Sequence, residues 1–92
     1  SSTDQTTGTA ATADTVTFTF TENVTPANVS VVKLDGLGAG NTVATQNSPT
    51  DAKVLFATFA PNSLLNGEKF QISYNGRVYV FELQPNGTFL LQ

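Results

Sequence analysis

The side chains able to do chemistry in this chain are few and nearly all of one kind. The 92 residues include no His and no Cys. The ordinary base for a Ser or Cys nucleophile is therefore missing, and neither a thiolate metal site nor a disulfide framework can form. Seven carboxylates remain: Asp4, Asp14, Asp35, Asp51, Glu22, Glu68 and Glu82. A glycosidase-type pair needs two of them across a cleft, and one thin domain leaves little room for one, so no catalytic centre is expected. Calcium is the better use of such groups, because hard cations collect oxygens from carboxylates, amides and carbonyls. Asp14, Glu22, Asp35 and Asp51 all fall in expected loops or strand ends. None of them has EF-hand spacing, so solvated loop acids are the plainer reading and no cofactor is expected.

Other motifs carry less. Gly36, Gly38 and Gly40 in DGLGAG lack the spacing of a dinucleotide loop, and no Lys-Ser/Thr pair follows them. Asn23, Asn28 and Asn86 each open a glycosylation sequon, close to what chance gives with eight Asn among so many Ser and Thr. Only Tyr74 and Tyr79 could offer a sugar-binding platform, and both are expected to pack on the core with the hydroxyl reaching water. Net charge is −3, and the four basic residues Lys33, Lys53, Lys69 and Arg77 are scattered singly. No basic stripe exists for nucleic acid or an anionic membrane, and no small-molecule substrate is indicated.

Alternating apolar residues dictate the elements that hold these groups. Charged residues make up only 12% and apolar ones 39%, a Thr- and Val-rich mixture that favours strands. Phe70 to Leu91 reads as a three-stranded meander. Phe70, Ile72 and Tyr74 alternate with polar residues, Asn75-Gly76 suits a type I′ turn, and Pro85-Asn86-Gly87 makes the second turn. Val78 to Leu83 is apolar on both faces, as a central strand would be. Upstream, Thr15–Thr21 turns Val16, Phe18 and Phe20 inward and leaves a Thr face outside. Asn28–Leu34 breaks strict alternation at Val31-Val32, which predicts a bulge or burial on both sides. Asn41–Gln46 reads as a polar edge strand, Lys53–Phe59 as a core strand, and Leu64-Leu65 as a plug at one end. The sum is an all-β, small Ig-like two-sheet β-sandwich of about seven strands over residues 15–92.

Residues 1–14, SSTDQTTGTAATAD, contain no Val, Ile, Leu or aromatic residue and read as a flexible N-terminal arm or linker. Within it Thr6, Thr7, Thr9, Ala10, Ala11, Thr12 and Ala13 are candidates for a self-association arm that adds a strand to a neighbouring copy.

Phe20-Thr21-Glu22-Asn23-Val24 followed by Pro26-Ala27-Asn28-Val29-Ser30-Val31, and later Phe59-Ala60-Pro61 with Leu64-Leu65-Asn66-Gly67-Glu68-Lys69-Phe70-Gln71-Ile72, resemble bacterial immunoglobulin-like domains of the S-layer and adhesin type. The resemblance spans about Thr15 to Gly76. Beyond it the family continues through a longer loop, whereas this chain turns tightly into Arg77-Val78-Tyr79. What the resemblance implies is a non-catalytic structural module, secreted or at a prokaryotic cell surface, whose partners are further copies or neighbouring domains of the same protein. Two alternatives stand beside it: an extracellular, pilus-like filament subunit polymerising by N-terminal strand donation, and a carbohydrate-binding module.

Overall fold

The computed structural model describes residues 2–4, 14–61 and 63–92. Two antiparallel sheets face each other. One is ordered β1-β2-β5-β4, from β1 (Ser2–Asp4), β2 (Asp14–Thr19), β4 (Ala44–Ser48) and β5 (Asp51–Phe59); the other is ordered β3-β6-β7-β8, from β3 (Val29–Lys33), β6 (Lys69–Tyr74), β7 (Arg77–Leu83) and β8 (Phe89–Leu91). The all-β sandwich read from the sequence is thus present, and its seven strands from β2 onward match the seven expected. Ser2–Asp4 adds a short edge strand, antiparallel to β2 with Thr3 opposite Val16. The Thr6–Ala13 candidates lie outside the described residues.

Period-two patterning decides which groups go inside. Val16 and Phe18 from β2, Leu55, Ala57 and Phe59 from β5, Val29 and Val31 from β3, Phe70 and Ile72 from β6, and Leu83 from β7 form the buried interior. Val24 and Leu64 close its ends, whereas Leu65, the other half of the expected plug, is 39% exposed. The Asn75-Gly76 turn has φ of 55° and 72°, the pair of positive values a type I′ hairpin requires. It fixes the β6–β7 register, with Phe70 opposite Phe81.

β3 corrects the expectation of a bulge. Its pairing with β6 runs without a break from Val29 opposite Tyr74 to Lys33 opposite Phe70. Val32 is half-buried on the outer face, and the inward row is Val29, Val31 and Lys33. The irregularity belongs instead to β4, where the register shifts between Asn47 and Ser48. There the Asn47 amide donates to the carbonyls of Val24, Ala52 and Val54, which ties the second crossing between sheets to β5.

Candidate functional site

Regular alternation on β3 carries a charged group into the interior. Lys33 is 2% exposed, among the largest fully buried side chains. An ammonium taken from water must be paired and hydrogen-bonded on all sides, and this one is. Its Nζ donates to Glu68 Oε1 at 2.8 Å, to the Asp35 carbonyl at 2.7 Å and, more weakly, to the Leu37 carbonyl at 3.4 Å. Glu68 Oε1 also accepts the Leu65 amide at 2.8 Å. Asp35 Oδ1 accepts the Lys69 amide at 2.7 Å, and the Leu34 amide donates to the Lys69 carbonyl. The Gly-rich loop after β3 and the turn before β6 are thus fastened to each other through one buried ion pair. A cleft of about 420 Å³ opens beside it, lined by Lys33, Leu37, Asn41, Val43, Phe59 and Ser63.

Gly36 has its place here for two reasons. Its φ is +68°, and a Cβ built on it would run into the Glu68 carboxylate. Gly36→Ala is therefore expected to lose about 1–2 kcal/mol to the left-handed backbone and to disturb the clamp as well. Gly38→Ala, at φ +82° with nothing near its Cβ, should bear the backbone cost alone. Thermal melts of the two variants check this: Gly36→Ala melts lower, and equal melting points would count against the clamp.

The second concavity lies at the open edge of the sandwich. β1 covers β2 only at Thr15–Thr17, and β8 covers β7 from Phe81 onward. Between the uncovered ends lies an apolar groove of about 340 Å³, lined by Phe18, Phe20, Ile72, Tyr74, Tyr79 and Phe81, with Leu91 at its rim. Tyr74 meets Phe20 edge-on at 5.1 Å, the core-packed arrangement expected of it, while Tyr79 is 39% exposed at the lip.

The calcium candidates are not brought together. Asp14 opens β2, Glu22 is exposed in the turn after that strand, Asp35 sits at the clamp, and Asp51 Oδ1 caps the Lys53 amide at the start of β5. No group of three or more His, Cys, Asp or Glu side chains gathers among the described residues. Asn23, Asn28 and Asn86 are all exposed, and Asn86 Oδ1 already accepts the amide and hydroxyl of Thr88.

Sequence reasoning missed Lys33 and Glu68. The signal was there in Val29-x-Val31-x-Lys33, which places the Lys two positions beyond two inward Val, directly before a Gly-rich loop. No family model, curated protein or solved structure matches the chain, so what the clamp and the groove are for has to be read from their own residues.

Proposed function

We propose that this chain is a structural, non-catalytic β-sandwich of an extracellular or cell-surface prokaryotic assembly, an S-layer or adhesin type of module that meets further copies of itself or neighbouring domains. The observation that carries the reading is the use made of Lys33. The buried cation gives its donors to Glu68 and to two loop carbonyls, so the chain's most expensive polar group fastens a loop to a sheet. Low charge, the Thr row on the outer face of β2 and a core of packed rings fit the same purpose, which is a rigid body with an inert exterior. The test is negative-stain microscopy of the purified chain, together with calorimetry against cell-wall polysaccharides and melting with and without calcium. Ordered assemblies, no binding heat and an unchanged melting point are expected. Saturable heat with a polysaccharide, abolished by Tyr79→Ala, would overturn the reading in favour of a carbohydrate-binding module.

Polymerisation by N-terminal strand donation is the second reading, and β1 favours it. Asp4 lies opposite Thr15, a separation that a turn of two to five residues would close, yet nine residues, 5–13, connect the two strands. At roughly 3.3 Å per residue that length reaches about 30 Å when extended, enough for β1 to lie on the β2 of a neighbour. Deleting residues 1–13 should then abolish filaments; filaments forming without them remove this reading.

A further inference from the structure

The four sheet edges are not protected alike. Beside β3 the chain itself returns, with the Val43 amide donating to the Val31 carbonyl at 2.7 Å and the Lys33 amide to Asn41. β4 is polar, and its register shift breaks the regularity of its edge. β8 has neither defence. Its sequence, Phe89-Leu90-Leu91, carries no charge, Pro or bulge, the devices that normally keep an edge from pairing, and Leu90 and Leu91 are each 55% exposed.

Hydrogen-bond parity says which backbone groups this edge offers. The Gln84 amide donates to the Thr88 carbonyl and the Gln92 amide to the Val80 carbonyl, and Leu90 lies opposite Glu82 between them. In an antiparallel ladder alternate residues bond to opposite sides. Thr88, Leu90 and Gln92 therefore face β7, while Phe89 and Leu91 direct their N–H and C=O groups outward, where no described strand lies.

From this we infer that β8 is a self-pairing edge, which joins β8 of a second copy antiparallel about a two-fold axis through Leu90. That axis sets Phe89 against Leu91 of the copy and Leu91 against its Phe89, matching all four outward N–H groups to all four outward C=O groups. Apolar side chains meet on both faces: Leu90 on Leu90 outside, and Phe89 on Leu91 inside, beside the groove that Leu91 rims. No other register of this short strand pairs every outward group, and an antiparallel pair about a two-fold is self-complementary by construction. The two β3-β6-β7-β8 sheets become one continuous eight-stranded sheet.

The proposal rests on the self-associating role put forward above, and the experiment separates the two. Residues on a two-fold axis at a non-hydrogen-bonded pair bring their Cβ atoms within about 4.5–5.5 Å, near disulfide range. Because the chain contains no Cys, Leu90→Cys has no background. Under mild oxidation Leu90→Cys is expected to convert almost fully to a disulfide-linked dimer, whereas Leu37→Cys, on a residue 64% exposed in a distant loop, stays reduced. In sedimentation the wild type runs as a dimer or a multiple of it, and Leu90→Lys, which sets two like charges on the axis, loses that pairing with its melting point retained. A wild type that remains monomeric, or cross-linking no faster at position 90 than at 37, overturns the inference. Assemblies that persist unchanged in Leu90→Lys also overturn β8 as the pairing edge, while leaving the self-associating role intact.

Discussion

Glu68→Ala is expected to melt at least about 12 °C below the wild type. Removing one member of a buried pair costs about 3–5 kcal/mol because the other charge stays behind without compensation, and for a domain of this length each kcal/mol moves the midpoint by about 4–8 °C. What stays behind here is Lys33, 2% exposed, with no route to water that does not open the loop. The reverse deletion should be milder. In Lys33→Met the carboxylate of Glu68, 18% exposed, keeps the Leu65 amide and some solvent. The double variant Lys33→Met/Glu68→Leu should recover much of the loss, since an apolar pair of similar volume is often as stable as the ion pair it replaces. The contrast is the Lys69–Glu82 pair, 4.0 Å apart with side chains 41% and 30% exposed, whose removal should cost below about 1 kcal/mol. Urea denaturation of the set gives the order. Hydrogen exchange at Gly40, whose amide donates to the Lys33 carbonyl at 2.8 Å, adds a local readout and should quicken in Glu68→Ala before global unfolding. If Glu68→Ala were as mild as the surface pair, the clamp would be a surface contact in effect and the reading built on it would fail.

The same residues show what the sequence could and could not disclose. Strands were legible because apolar side chains at every second position have one physical explanation, a half-buried sheet. All seven expected strands are present, and the Asn75-Gly76 turn takes the backbone angles its residue types demand. Sheet order was not legible. Which edge β2 pairs with depends on contacts far apart in sequence, Phe18 with Leu55 for example, and these leave no local mark. The clamp was half legible. The Val31-Val32 doublet was read as a bulge because a Lys two residues on is ordinarily a surface group; only Glu68, 35 residues away, makes its burial tolerable, and nothing around Lys33 announces that partner. The groove at the open edge was likewise hidden, since it exists only where β1 and β8 stop short of the strands they pair with.

Phe70→Ala should remove most of the stability that remains in such a domain. Phe70 is fully buried, and its ring meets those of Phe18 at 6.1 Å, Phe59 at 5.4 Å, Phe81 at 5.7 Å and Phe89 at 5.1 Å. Those four partners come from β2, β5, β7 and β8, so one side chain couples both sheets. Truncating a core Phe costs about 3–5 kcal/mol, and ring pairs lose about 0.5–1.5 kcal/mol each beyond area burial. The total is a large part of the roughly 5–15 kcal/mol on which a native domain stands. Phe20→Ala is the control: its ring is only half-buried and pairs with Tyr74 at the end of the interior, so the loss should be clearly smaller. Circular dichroism melts decide it, and a Phe70→Ala midpoint no lower than that of Phe20→Ala would show that the rings are mere neighbours. Because Phe89 rests on Phe70, the same cavity also undermines β8 from beneath. In a Phe70→Ala/Leu90→Cys chain held well below its midpoint, disulfide dimer should form more slowly than with Leu90→Cys alone. An edge can meet its copy in register only if the strand that carries it is held flat from behind.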